Sequence, residues 1–189
     1  VSDRIPEGSL AAIREAARHG YDMVELDVRV TKDGVPVVFH DANLRTATGH
    51  DGPIGELTEA GTRSVRFKKN DEPIAKLEQA LVLCRQLHLG VMLDLKDPPR
   101  AEVLQKIAAL VRKHGLEKST VTISGHPLVR TELGGVALVP VNADELKAVA
   151  AGKPMSLEGR YWFGIPARIP FETIPKLQRA GALVFPAIN

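Results

Sequence analysis

Tyr21-Asp22-Met23-Val24-Glu25-Leu26-Asp27-Val28-Arg29-Val30, the turn Lys32-Asp33-Gly34 and the run Val35-Pro36-Val37-Val38-Phe39-His40-Asp41 form the stretch on which the fold turns. Side chains two apart on a strand share a face. Glu25 and Asp27 therefore project together, while Val24, Leu26 and Val28 fill the other side. Two unpaired anions side by side on a buried strand are costly. Either a divalent cation, a basic partner or water compensates them, or the strand is an exposed one with a charged face. Both apolar runs lack clean polar alternation, as strands do in a sheet covered on both faces.

Upstream, Ser9 in Pro6-Glu7-Gly8-Ser9 reads as a helix N-cap, with Leu10, Ile13 and Ala17 following at helical spacing and His19-Gly20 as the stop. Downstream, residues 42–70 are polar, rich in Gly and Thr and irregular. That is long for a connection, and long loops are usually functional. Ile74–Leu89 reads as a helix with Leu77, Ala80, Leu81 and Cys84 on one stripe. Val91–Lys96 is the next strand, with Asp94 and Lys96 on one face, and Asp97-Pro98-Pro99 stops it. Then come an amphipathic helix over Ala101–Lys113, a strand over Thr120–Ile123 ending at Ser124-Gly125-His126, and a strand over Val136–Val141. A short helix over Ala143–Ala151, a strand over Tyr161–Ile165, a helix over Phe171–Ala180 and a strand over Ala182–Ile188 complete the reading.

This alternation, with no linker, repeat or low-complexity tract, implies one domain over residues 1–189 with a parallel sheet and helices around it. The candidates are a TIM (β/α)8 barrel and an open doubly wound sheet. No Gly-rich phosphate loop follows an early strand, which weakens the dinucleotide-binding form of the open sheet. Asp27, His40, Asp94, Lys96, Ser124 and His126 all fall at or near strand C-terminal ends. A barrel carries its active site there, so the barrel is favoured. At 189 residues the chain is short against about 250 for that fold, and it stops on an apolar strand without a closing helix. It is expected to be incomplete at both ends.

A content of 44% hydrophobic and 25% charged residues suits a core of domain size. The net charge of +2 and 4% aromatic content give no case for nucleic acid or an anionic membrane as partner. No apolar run approaches the roughly 20 residues a transmembrane helix needs. The single cysteine, Cys84, allows no internal disulfide, which suits the cytosol without excluding a periplasmic or secreted protein.

On one rim, Glu25, Asp27 and Asp94 make a cluster of hard oxygen ligands suited to Mg²⁺ or Ca²⁺. No His/Cys group suggests zinc. Lys96 adds a fixed positive charge, and His40 is a candidate general acid or base. Such a set suits a phosphate ester, its oxygens neutralised by the cation and Lys96. Two bland alternatives stand beside it: Lys96 simply pairs with Asp94, and His40 is a strand-end histidine. Arg45 is a further phosphate-binding candidate, and Arg29 either touches the site or only counters its charge.

The stretch from Tyr21 to Asp41, with Pro6-Glu7-Gly8-Ser9-Leu10-Ala11-Ala12, Leu44–Gly49, Ile74–Leu81 and Leu93-Asp94-Leu95-Lys96, resembles the glycerophosphodiester phosphodiesterase family. The likeness is dense over the first half of the chain and loose beyond it. It implies a TIM barrel of the phospholipase-C-like phosphodiesterase type, one divalent cation, Mg²⁺ or Ca²⁺, and hydrolysis of glycerophosphodiesters to glycerol 3-phosphate and an alcohol. By position, Glu25, Asp27 and Asp94 match the metal ligands, with Asp94 standing where the family usually has Glu. His40 matches a catalytic histidine, and Lys96 the basic residue beside the metal. The family's opening His-Arg-Gly strand has no counterpart here; family spacing would place it immediately before Val1. The first strand and the C-terminal end of the family fold are therefore expected to lie outside the chain. Two rivals remain: a sphingomyelinase-D- or lysophospholipase-D-like lipid phosphodiesterase, and a non-catalytic barrel that binds a phosphodiester or a protein.

Overall fold

The computed structural model describes residues 5–164 and 168–186. Ser9 caps helix α1 (Leu10–Arg18) by accepting the Ala12 amide at 3.2 Å. Strand β1 (Met23–Val30) follows, and the turn at Gly34, held at φ +76° as glycine readily is, returns the chain as β2 (Pro36–Val38). The segment after β2 carries short helices α2 (Arg45–Thr48) and α3 (Glu59–Thr62) and a 3-10 turn over Ile54–Glu56. Strand–helix alternation then takes over with α4 (Leu77–Gln86), β3 (Gly90–Leu95), α5 (Ala101–Lys113), β4 (Thr120–Thr122) and α6 (Pro127–Leu133). It continues through β5 (Val139–Pro140), α7 (Ala143–Ala150), β6 (Arg160–Gly164), α8 (Thr173–Arg179) and β7 (Leu183–Pro186).

Strands β1, β3 and β4 pair in parallel, as do β5, β6 and β7, and a parallel bridge from Val121 to Leu138 joins the two groups. The result is a continuous parallel wall with helices on its outer side, the TIM-barrel arrangement expected from the alternation. Strand β2 departs from that expectation. It pairs antiparallel with the C-terminal half of β1, Val28 opposite Val38, as a hairpin beside the wall rather than a stave of it.

Leu26, Val28, Val91 and Leu93 face outward and bury against Leu77, Leu81, Leu104, Ile107 and Val111. Each such side chain contributes about 2 kcal/mol. A smaller core of Val37, Phe39, Leu44, Ile54, Val65, Phe67 and Ile74 lies under residues 42–73, which are thus a packed appendage rather than an irregular loop. A third cluster, Val149, Leu157, Trp162, Leu177 and Ala182, seats α7 and α8 on β6.

Some boundaries move. The helix expected from Ile74 starts at Leu77, because Ala75 accepts the Val38 amide at 2.9 Å and Lys76 bridges Val37. The strand expected over Val136–Val141 shortens to Val139–Pro140. Ile165, at the end of the expected sixth strand, and Ala187 and Ile188, in the last, lie outside the described residues.

Candidate active site

The register of the wall sets which side chains meet. Asp27 pairs with Asp94 and Glu25 with Met92, so Glu25, Asp27 and Asp94 share the inner face. Each offers a carboxylate oxygen within 4.8 Å of the others. The Lys96 amide donates to Val28 O at 3.0 Å, extending the pairing beyond β3 and bringing the ammonium to the same rim. Lys96 Nζ lies 2.5 Å from Asp94 Oδ2 and 2.9 Å from Asp27 Oδ1. The hydrogen bond to Asp94 and the close charge of Asp27 raise the Lys96 pKa further, so it is a permanent cation.

Asp27 is only 3% exposed, and its Oδ1 has no donor aligned on it for a hydrogen bond. The Lys96 contact to that atom is therefore an ion pair at close range rather than a formed hydrogen bond. One ammonium shared among three carboxylates leaves the cluster with excess negative charge. An oxygen-seeking cation among the three carboxylates would offset it, and the donor set fits Mg²⁺ or Ca²⁺. Glu25 carries the same message. Partial desolvation, then repulsion from Asp27 and hydrogen bonding with it, then Asp94, outweigh Lys96 and push its pKa up to about 7.

His40 follows β2 and is brought to this rim by backbone pairing, since the Phe39 amide donates to Asp27 O at 3.0 Å. Its Nδ1 sits 2.9 Å from Asp41 Oδ1, and that bond raises the His40 pKa. Nε2 is the nitrogen left for a ligand. Arg29 turns away from the carboxylates. Its Nη1 donates to Asp97 Oδ1 at 2.8 Å, its Nε donates to the His40 carbonyl at 2.9 Å, and Asp97 Oδ2 accepts the Val30 amide at 2.8 Å. It ties the ends of β1 and β2 to the loop after β3.

Arg45 is not brought to the rim by any contact. It is exposed at the start of α2 and pairs with Asp51 at 3.0 Å. His126 is a helix cap: its Nδ1 accepts the Leu128 amide at 3.2 Å. Glu7 is the residue that sequence reasoning passed over. A carboxylate oxygen of Glu7 lies within 4.8 Å of ligand atoms of both Asp27 and His40. Gly8, at φ +73° and packed against the Val38 carbonyl, makes the turn that places it. The one available signal is the likeness of Pro6-Glu7-Gly8-Ser9 to a family segment, which assigns Glu7 no role. Opposite the carboxylates, the same register puts Ile123, Phe163, Leu183 and Phe185 on the inner face, where they are exposed.

The family model of the Glycerophosphoryl diester phosphodiesterase family matches residues 1–123. Mouse glycerophosphodiester phosphodiesterase 1 is 37% identical over 99 residues, 48% of this chain and 30% of that protein. A probable glycerophosphodiester phosphodiesterase 2 of Mycobacterium tuberculosis is 33% identical over 95 residues, 50% of this chain and 35% of the relative. The chain thus spans about a third of the length of these curated relatives. A glycerophosphodiester phosphodiesterase structure from Agrobacterium tumefaciens superposes with a TM-score of 0.70 at 26% identity, covering 97% of this chain and 82% of that one. An Oleispira antarctica phosphodiesterase in complex with the product sn-glycerol-3-phosphate gives 0.66 at 21% identity, covering 100% and 81%. Among the described residues, no helix is long and apolar enough to cross a membrane.

Proposed function

The chain belongs to the glycerophosphoryl diester phosphodiesterase family, and from that premise we propose that it takes part in metal-dependent hydrolysis of glycerophosphodiesters to glycerol 3-phosphate and an alcohol. The observation that carries the reading is the buried Asp27 Oδ1, without an aligned donor, inside the Glu25–Asp27–Asp94 cluster and beside Lys96. These three carboxylates would hold the ion, which when bound supplies positive charge for the phosphoryl oxygens.

The remaining roles fall to the chain's own side chains. Lys96, charged at any working pH, binds a non-bridging phosphoryl oxygen and offsets the charge that builds as phosphorus is attacked. Asp41 accepts from His40 Nδ1 and so fixes the ring with Nε2 toward the substrate. The raised pKa favours imidazolium, so His40 acts as the acid that protonates the departing alcohol. The product seen with the Oleispira antarctica protein supports glycerol 3-phosphate as the product here.

A second reading, action on lysophospholipids, comes from one of the relatives. The human lysophospholipase D GDPD1 is 29% identical over 127 residues. The test is release of glycerol 3-phosphate by the full-length protein from water-soluble glycerophosphodiesters, with lysophosphatidylcholine in parallel and EDTA as control. Release that EDTA stops and that His40→Ala abolishes with an unchanged circular dichroism spectrum is expected. Near-normal turnover by that variant removes His40 from the chemistry, and choline release from the lysolipid alone moves the second reading ahead.

A further inference from the structure

A cavity of about 280 Å³ opens beside His40, and its lining includes Glu7, Asp41, Lys68 and Lys69 but none of the three clustered carboxylates. Of the two acids there only Asp41 is paired with a base, so the two lysines outnumber the remaining carboxylate. Asp41 is bonded to His40 Nδ1, and Glu7 is drawn to the rim beside Asp27 and His40. The two lysines are not neutralised in the same way. Lys68 Nζ donates to the carbonyls of Arg45 and Thr46 at 3.0 and 3.3 Å, acceptors that orient the ammonium and leave its charge. Its stem lies over Gly49, where a Cβ would come within 2.9 Å of Cε, so the bare backbone at φ +82° gives Lys68 its path. Lys69 is exposed and makes no ion pair among the described residues.

The aromatic residues of the cavity do not favour the opposite preference. An aromatic cage for a quaternary ammonium needs open ring faces. Phe39 and Phe67 are each 2% exposed and stack on one another at 5.8 Å, so neither offers one. We infer that this cavity is the subsite for the alcohol arm of the diester, and that Lys68 and Lys69 select an alcohol bearing its own anionic group, a carboxylate or a further phosphate. The inference rests on the proposed function, because an arm released through His40 must lie on His40's side of the phosphorus.

Glycerophosphoserine and glycerophosphoethanolamine differ by one carboxylate and share the ammonium, so they isolate the contact. Binding of each to the full-length protein is measured by calorimetry in EDTA, and turnover of each is measured with Mg²⁺. The serine diester is expected to be favoured about fivefold in affinity and in kcat/KM, near the ceiling for solvent-exposed ion pairs. The preference should fall toward one in Lys69→Gln and in the Lys68→Gln/Lys69→Gln double variant. Equal handling of the two diesters by the wild type, or a preference untouched by both variants, overturns the subsite. Turnover of neither diester alongside a retained binding preference overturns the proposed reaction and supports the subsite.

Discussion

Arg29→Met tests whether the end of β1 is what holds His40 in place. The guanidinium is 13% exposed and makes two directed bonds, to Asp97 Oδ1 at 2.8 Å and to the His40 carbonyl at 2.9 Å. A shielded charge-assisted bond contributes about 2 kcal/mol and a bond to a neutral carbonyl about 1. Asp97 keeps the Val30 amide at 2.8 Å, so no carboxylate is left bare and no large penalty is added. The expected loss is about 3 kcal/mol, or roughly 6–12 °C in melting temperature for a chain of this size. Arg29→Lys separates the two bonds. It keeps a charge opposite Asp97 but has no Nε–H for His40, so it should recover most of the stability and little of the lost kcat. Urea unfolding followed by circular dichroism gives the first number, and glycerol 3-phosphate release gives the second. A stability change under about 0.5 kcal/mol, the range of an ordinary surface substitution, together with unaltered kcat in both variants, refutes the reasoning.

Mg²⁺ or Ca²⁺ should raise the melting temperature, by the equivalent of about 2.7 kcal/mol at a hundredfold excess over Kd, and Asp27→Asn should remove the response; a wild-type protein indifferent to both ions would contradict the carboxylate cluster as their holder. Glu78 accepts from Lys113 Nζ at 2.6 Å, and that bond chiefly holds its pKa below the usual 4.5. A depressed carboxylate pKa gives stability that is present above the unfolded value and lost as pH falls through the folded one. Glu78→Gln should therefore flatten the decline in urea midpoint below pH 4.5, and parallel acid curves for variant and wild type would exclude the linkage. Burial pushes the Cys84 thiol up to about 12, so it should stay inert to a disulfide reagent at pH 8 and react at once in 6 M urea; rapid labelling of the native protein would disprove its burial.

Local rules made some of the fold legible. Helix α5 runs Ala101–Lys113 as its apolar spacing predicts, and Ser9 caps α1 as its residue type predicts. The alternation of β1 alone placed Glu25 and Asp27 on one face. Pairing partners were only partly legible. Nothing in Pro36–Val38 itself distinguishes an antiparallel arm from a parallel stave; the cue was the turn Lys32-Asp33-Gly34, because a parallel neighbour needs a crossover of a dozen or more residues. Helix α6 was hidden because Pro127 reads as a breaker, whereas at the first helical position it costs nothing. Glu7 escaped because its partners, Asp27 and His40, lie far along the chain and meet only through the β1–β2 hairpin. Arg45 was legible as a residue that could bind phosphate, but nothing local foretold its pairing with Asp51.

The separate core beneath residues 42–73 gives the molecule a second unfolding unit. Cooperative opening follows contiguous buried contacts, and this cluster shares no member with the one that buries the wall. Its backbone amides should exchange with deuterium through a local opening of lower free energy than the one that frees β1 and β3. The two halves of the site are thus mounted on platforms of different rigidity. On that expectation the carboxylates and Lys96 open with the wall, and the lysines of the neighbouring cavity open with the smaller core.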